Sequence, residues 1–400
     1  MKNKMKRDNL VFMITGALAF LNIFFLIFRY MRGECVFQDF HARWQESAYL
    51  LRGINPFDAL AGKVTIDSIG AIDPTMVTVP WAWILGTIIN PGFLSFEMAK
   101  IWGMFMYFVI CSATAFLCYR YVSKYYFTEK TENITRWGIC AAFIVLSQYC
   151  WVWSFMCGNH GALACCFVVM AICVYKEHPY LAGVLMTFGM IKPQIAALFF
   201  ITFLVLKQYK IIITAAVLGI AVMLVTCGIT GVGIFELLTG TGEVGTNLNY
   251  VFFGLFNMLK YNNVSTSVIL ALDIVMGLVY LIMLTLMAKK QEDGSGLKIF
   301  MGATIASTFW FYKQSHDYVI LILPCLMLLY GMHRVQTKQF VYKLVLLTAF
   351  VVIFYAQSAS RKVVSMVIQM PEQFGKELFM TFTCIAFMIM GVLAVRAKEE

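Results

Sequence analysis

Charged residues are scarce in this sequence. Asp, Glu, Lys and Arg make up 13% of its 400 residues, whereas hydrophobic residues make up 61%. Soluble globular domains carry about 25% charged residues, so composition excludes an ordinary soluble enzyme. The net charge of +10 does not indicate a nucleic-acid partner, because the basic residues form short clusters between apolar segments. A chain this apolar needs membrane lipids as its solvent.

The sequence also lacks the residue spacings that bind metals or form redox pairs. None of its twelve cysteines belongs to a Cys-x-x-Cys pair, and all but Cys35 lie in apolar stretches. We therefore interpret the cysteines as small packing residues. No Asp-x-Asp pair is present on the segments predicted to face outward. We expect no metal and no cofactor.

What the sequence does contain is a series of continuous apolar segments. Runs of ~17–25 residues are long enough to cross a bilayer as helices. We predict an all-α, polytopic transmembrane helical bundle that forms a single integral membrane domain over residues 1–400, with an uncleaved first span. The predicted spans, about twelve, lie near residues 10–28, 98–119, 137–156, 160–175, 179–191, 194–206, 211–229, 266–288, 298–312, 318–332, 341–357 and 377–395.

The distribution of basic residues predicts the orientation of these spans. With a cytoplasmic N-terminus, the short inner segments hold most of the 31 Lys and Arg residues, and the outer segments hold most of the 21 acids. This positive-inside pattern predicts that both termini are cytoplasmic in a plasma membrane protein. Residues 31–96 and 231–265 then form two long outer loops. The first contains an amphipathic pattern over residues 40–52, which predicts a helix lying in the outer membrane interface.

Polar residues at membrane depth are costly, so each is a candidate for function. Asp39 follows the first span, and two interpretations stay open: an N-cap of the amphipathic helix or a general base toward a hydroxyl. The turn at residues 158–161, the Lys-Pro-Gln break at 192–194 and the polar cluster at 313–317 could each be an ordinary connection. Asp273 lies inside a predicted span without an evident partner.

The predicted topology places these polar groups, Asp273 aside, on the same outer membrane face. A carboxylate, lysines and histidines together suit a phosphate-bearing ligand, with cations for the phosphate and a base for the acceptor. We take Asp39 as the candidate catalytic residue. The candidate substrate-binding residues are His41, Arg43, Asn159, His160, Lys192, Gln194, Lys313, His316 and Asp317.

Four segments resemble the family-87 polytopic glycosyltransferases, in the same order and spacing over nearly the whole chain. They are Asp39 followed by residues 49–57, the proline-containing piece from Val79-Pro80-Trp81 to Asn90-Pro91, Gly189-Met190-Ile191-Lys192-Pro193-Gln194, and Ser315-His316-Asp317-Tyr318. One departure is that the proline piece has Val79-Pro80-Trp81 where the family often has a Tyr-Pro-Pro run.

The resemblance implies a GT-C type fold and a hexosyltransferase. Such an enzyme would move a mannose-like sugar from a polyprenyl-phosphate donor to a lipid or glycan acceptor at the outer face, with inversion. It implies that Asp39 is the base and that Lys192 and His316 face the donor phosphate. The sequence leaves two alternatives open. A secondary transporter would explain a break at Lys192-Pro193 and the buried Asp273, and a membrane assembly subunit would have no catalysis.

Overall fold

A computed structural model of the chain describes residues 2–73, 78–125, 134–247, 259–260, 263–289, 296–310 and 315–334. Over these residues the protein is all-helical and contains no strand. The predicted all-α class is therefore confirmed for the described part of the chain. The predicted spans at 341–357 and 377–395, together with Lys313, lie outside the described residues.

Several of the helices are joined by short connections, whereas residues 61–79 separate two of them. In chain order they are α1 (Lys2–Met31), α2 (Gln38–Leu50), α3 (Pro56–Leu60), α4 (Pro80–Thr87), α5 (Phe96–Tyr125), α6 (Ile134–Leu146), α7 (Tyr149–Cys157), α8 (His160–Val174), α9 (Pro179–Gly189), α10 (Pro193–Val205), α11 (Tyr209–Thr230), α12 (Ile234–Asn247), α13 (Thr266–Lys289), α14 (Leu297–Trp310), a 3₁₀ helix (Ser315–Leu321) and α15 (Ile322–Arg334).

Four helices of the described part are each long and apolar enough to cross a membrane: α1 from Asp8, α5, α11 and α13. The pair α6 and α7 makes a fifth if it is counted as one bent span. Helices α8, α9, α10 and α14 are apolar but shorter. Several helices of the described part could therefore span a membrane, in agreement with the predicted membrane protein, whereas the number of twelve spans stays a prediction.

The centre of the bundle is α8. All 15 of its residues are buried, and it packs against α5, α9, α10 and the 3₁₀ helix. At about 1.5 Å per residue, α8 is roughly 22 Å long, which is shorter than the hydrocarbon core of ~30 Å. A helix enclosed by other helices does not need the full length, and at its first turn α8 meets protein groups, among them Asn90 and Asp317.

The span predicted at residues 137–156 is bent by 40° between α6 and α7. The bend falls at Ser147 and Gln148, where the helical hydrogen-bond ladder is interrupted. Asn22 of α1 donates through Nδ2 to the carbonyls of Leu146 at 2.8 Å and Gln148 at 3.0 Å. Because a broken helix at membrane depth must satisfy its freed carbonyls internally, this contact with α1 makes the bend possible.

The helix predicted at residues 40–52 is present as α2, Gln38–Leu50. Its residues 44–50 are all buried, so this part of α2 packs against other protein segments, while its location in the outer membrane interface stays a prediction. Trp44 donates to the carbonyl of Leu94 at 3.0 Å, and Gln45 donates to that of Ile69 at 2.9 Å. Side chains of α2 therefore bind backbone carbonyls of the segment that follows it, at residues 69 and 94.

Candidate active site

The polar motifs predicted from the sequence meet at one end of the bundle, where α2, α8, α10 and the 3₁₀ helix all begin. Gly161, in the first turn of α8, is the point of contact. A Cβ atom added there would overlap Asp317 Oδ1 and would lie 2.8 Å from His316 Cδ2 and 3.0 Å from Asn159 Oδ1. Glycine at this position therefore allows the 3₁₀ helix to approach the start of α8.

Asp39 lies in the first turn of α2 and not at its N-cap. The N-cap is Phe37, which has a left-handed backbone with φ 48° and no side-chain hydrogen bond to the helix. The N-cap interpretation of Asp39 is therefore wrong. Asp39 Oδ2 instead accepts a hydrogen bond from Nδ2 of Asn159. The side chain is half-buried and lies at the N-terminal end of α2.

Asn159 and His160 connect α8 with the segment predicted as the first outer loop. Asn159 is the N-cap of α8, because its Oδ1 accepts from the Gly161 N–H at 2.7 Å. His160 is 3% exposed, and its Nε2 lies 2.5 Å from Oδ1 of Asn90. The turn interpretation thus explains the Oδ1 end of the Asn159 amide, which caps α8. The Nδ2 end of Asn159 and the His160 ring instead contact residues 39 and 90.

Lys192 and Asp317 form a buried ion pair, although they are separated by 125 positions along the chain. Lys192 Nζ lies 2.8 Å from Asp317 Oδ1, and the two side chains are 14% and 0% exposed. Lys192 stands between α9 and α10, which are two separate helices. Trp81 of α4 fixes this connection by donating through Nε1 to the carbonyl of Met190 at 2.8 Å. The predicted phosphate-binding lysine therefore already has a carboxylate partner.

A second ion pair lies within α2. Arg43 Nη1 is 2.8 Å from Glu46 Oε2, and Glu46 also accepts from the backbone N–H of Thr78 at 2.6 Å and its hydroxyl at 2.8 Å. Burial raises the pKa of Glu46, while the charge of Arg43 and the Thr78 hydrogen bonds act in the opposite direction. Glu46 was not among the residues predicted from the sequence, although its i,i+3 spacing from Arg43 is the spacing that pairs charges on a helix.

The comparison with family models decides the class of this protein. The model of glycosyltransferase family 87 matches residues 80–311, which is more than half of the chain. The chain belongs to glycosyltransferase family 87. Comparisons with curated proteins and with solved structures found no match.

Membership of family 87 confirms the resemblance seen in the sequence and makes the protein a transferase. The alternative of a secondary transporter has no support. The matched region contains Asn159, His160 and Lys192, whereas Asp39 precedes it and the His316-Asp317 pair follows it. The contacts of these flanking residues therefore come from the structure and not from the family match.

The remaining predicted residues of this family-87 enzyme contribute in different ways. His316 is 5% exposed and lies beside Gly161. His41 lies 5.7 Å from the Trp44 ring and 4.7 Å from the Phe96 ring, and burial lowers the pKa of His41. The aromatic partners of His41 therefore belong to residues 31–96, the segment predicted as the first outer loop.

Two further polar positions are accounted for by contacts between helices. The backbone carbonyl of Gln194, near the start of α10, accepts from the Ser307 hydroxyl of α14 at 3.4 Å. Asp273 of α13, for which the sequence offered no partner, accepts from Nε1 of Trp310 at 3.0 Å. Both contacts join neighbouring helices, so they supply packing specificity within the bundle.

The three carboxylates of this candidate site differ in their partners. Asp317 is paired with Lys192, and Glu46 is paired with Arg43. Asp39 has an amide partner, and within the described part of the chain its side chain makes no other hydrogen bond. A nearby cation favours the charged form of a carboxylate, so a carboxylate in an ion pair is a poor proton acceptor. Asp39 is thus the carboxylate whose chemistry best suits proton transfer.

Proposed function

We propose that this enzyme transfers a mannose-like hexose from a polyprenyl-phosphate donor to a hydroxyl of a lipid or glycan acceptor, with inversion at the anomeric carbon. The observation that supports this most is the meeting of Asp39, Asn159, His316, Asp317 and Lys192 at one end of the bundle. The proposal includes a GT-C type fold with about twelve spans, a site at the outer face of the plasma membrane, and cytoplasmic termini.

In the proposed reaction Asp39 is the general base. The acceptor hydroxyl would hydrogen-bond to Asp39 Oδ1, since Oδ2 is engaged by Asn159. As the acceptor oxygen attacks the anomeric carbon, its proton passes to the Asp39 carboxylate. A positioned base typically accelerates such a step by about 10²–10⁴-fold. Attack from the face opposite the leaving phosphate gives the inverted product.

Lys192 is the proposed partner of the leaving group. The bond between the anomeric carbon and the phosphate oxygen breaks with its electron pair moving to that oxygen, so negative charge grows there. An ammonium group has three N–H donors; Lys192 uses one for Asp317, and no other partner occupies it among the described residues. A donor aimed at such a developing charge contributes about 2.7–4 kcal/mol to transition-state binding. His316 would assist from the adjacent 3₁₀ helix.

Asp317 has a structural role in this proposal. Its carboxylate is fully buried and holds the ammonium group of Lys192, which lies between α9 and α10. Because the ion pair is neutral, a donor with a single phosphate charge suits this site better than a nucleotide sugar carrying two phosphates. Lipid chains of the donor would remain in the bilayer, beside the exposed apolar faces of α1, α11 and α13.

The proposal is tested by product analysis with purified protein in lipid nanodiscs. We expect transfer of one hexose from a polyprenyl-phosphate sugar, detected by mass, and an inverted anomeric configuration, detected by NMR. Parallel reactions with nucleotide sugars should give no product. Transfer from nucleotide sugars alone would overturn the proposed donor, and a retained configuration would overturn the direct displacement.

A further inference from the structure

We propose that Asn159 positions the Asp39 carboxylate for proton transfer, a role that rests on the function proposed above. The sequence predicted Asn159 as a substrate-binding residue. Its contacts indicate a different task, because both ends of its side-chain amide are used within the protein: Oδ1 accepts from the Gly161 N–H at 2.7 Å and Nδ2 donates to Asp39 Oδ2.

The helix cap fixes which end of the Asn159 amide faces Asp39. A backbone N–H can only donate, so the atom that faces Gly161 must be the amide oxygen. The amide nitrogen therefore points to Asp39. The backbone of Asn159 is held as well, because its carbonyl accepts from the hydroxyl of Tyr107 and from that of Ser154 at 2.7 Å. The donor to Asp39 is thus rigidly placed.

Two glycines allow the turn at residues 158–161 to contact both α2, which carries Asp39, and the 3₁₀ helix, which carries Asp317. Gly158 has φ +71°, a conformation that suits glycine, and a Cβ added there would overlap Cβ of Phe40, the residue after Asp39. A Cβ on Gly161 would overlap Asp317 Oδ1. Asn159 therefore lies between the proposed base and the carboxylate that holds Lys192, and it links the two in one rigid unit.

This arrangement has a direct chemical consequence. A hydrogen bond from a fixed amide limits rotation of the Asp39 carboxylate. It also occupies Oδ2 alone, which leaves Oδ1 for the acceptor hydroxyl. The competing explanation is that Asn159 only caps α8. The two explanations separate in variants that keep the cap and remove the amide donor.

Two variants of Asn159 have this property, because serine and aspartate are N-caps about as good as asparagine. Asn159→Ser keeps a cap but offers no amide to Asp39; we expect kcat to fall about 10²-fold, as for a misplaced catalytic group, with the acceptor KM little changed. Asn159→Asp places a second carboxylate beside Asp39, which disfavours ionisation of the pair. The acidic limb of its pH–rate profile should therefore move to higher pH.

The matched control is Asn55→Ser. Asn55 caps α3 in the same way, with Oδ1 accepting from the Phe57 N–H at 3.1 Å. Within the described residues, the Asn55 side chain makes no hydrogen bond to a carboxylate. We expect this control to retain the wild-type kcat and pH profile. Thermal unfolding of all three variants reports whether the caps are kept.

Four outcomes decide the matter. A wild-type protein that transfers no sugar from any donor overturns the proposed function. An active wild type with an unchanged kcat in Asn159→Ser and an unchanged pH profile in Asn159→Asp overturns the positioning role alone. If only Asn159→Asp folds, its pH profile decides. If neither variant can be isolated folded while Asn55→Ser can, Asn159 is a structural residue and the proposal is wrong.

Discussion

Helices α8 and α11 have similar apolar sequences but opposite surroundings. Every residue of α8 is buried, whereas α11 buries only Ile211, Ala215, Met223 and Thr226 of its 22 residues. Large side chains of α11 such as Ile213, Val217 and Leu224 are about 60% exposed. Because lipid tails are as apolar as a protein core, an apolar run does not reveal which of these two environments a helix occupies.

The two helices differ near their N-terminal ends, where α8 has several small side chains and α11 has Tyr209 and three isoleucines. α8 begins with His160-Gly161-Ala162 and continues with further small residues, Ala164, Cys165 and Cys166 among them. Small residues let neighbouring helices approach closely, which suits a central helix whose first turn must accommodate a crowded polar site. We therefore expect substitutions around the start of α8 to have large effects and equivalent ones elsewhere to have small effects.

The largest expected effect is a loss of sugar transfer when Asp39 is replaced, compared with the same replacement of an acidic residue outside the site. Asp39→Asn keeps the size and the hydrogen-bonding ability of the side chain but removes the base. We expect sugar transfer to fall by about two to four orders of magnitude, with thermal stability close to wild type. Asp58→Asn is the control, since Asp58 lies in the first turn of α3 and pairs with the exposed Lys63 at 2.8 Å.

The initial rate of hexose transfer, measured at saturating donor, checks this expectation. Asp58→Asn should be as active as the wild type. An active Asp39→Asn enzyme would contradict the assignment of the base, even though membership of the glycosyltransferase family would stand.

The next effect compares two lysine–carboxylate pairs at opposite ends of the bundle. Lys192→Met leaves the fully buried Asp317 carboxylate without its cation, which we expect to cost about 3–5 kcal/mol of unfolding free energy. Lys124 at the end of α5 pairs with Glu177 at 2.7 Å, but its side chain is 54% exposed. Water solvates the remaining charge there, so Lys124→Met should leave stability unchanged.

Denaturant unfolding in detergent measures this difference between the two lysines. Adding Asp317→Leu to Lys192→Met should recover part of the loss, because it removes the orphaned charge. Equal stability of Lys192→Met and the wild type would show that the pair is solvated and that the end of α8 is open to water.

The apolar runs made most helices predictable from the sequence. The span predicted at residues 266–288 is α13, Thr266–Lys289, and that predicted at 98–119 lies within α5. The kink between α6 and α7 was not predictable, since Ser147 and Gln148 alone do not break a helix. What permits the kink is Asn22, more than 120 positions earlier, and a local pattern carries no information about so distant a partner.

The candidate site shows the same limit. The topology predicted from the basic residues placed Asp39, Asn159, Lys192 and the His316-Asp317 pair on one membrane face. The structure brings these residues together. Their mutual pairing was not visible, because it depends on contacts such as that between Lys192 and Asp317, 125 positions apart. The start of α2 one residue before Asp39 was also hidden, because it follows from the left-handed backbone of Phe37.

The smallest expected effect tests the comparison of α8 with α11 by one substitution made in both helices. Gly219 lies within α11, and a Cβ added there would meet nothing within 4 Å. Gly219→Ala should therefore gain up to about 1 kcal/mol, the difference in helix propensity between the two residues. Gly161→Ala adds the same methyl group against the Asp317 carboxylate.

In α8 the added methyl group must displace a buried, ion-paired side chain, so overpacking should cost about 1–3 kcal/mol and outweigh any gain in propensity. The shift would also move Asp317 relative to Lys192, or Asn159 relative to Asp39, so sugar transfer should fall as well. Melting temperatures of the two variants should thus change in opposite directions. If both rise together, Asp317 does not press on α8, and the crowding inferred at the start of this helix is wrong.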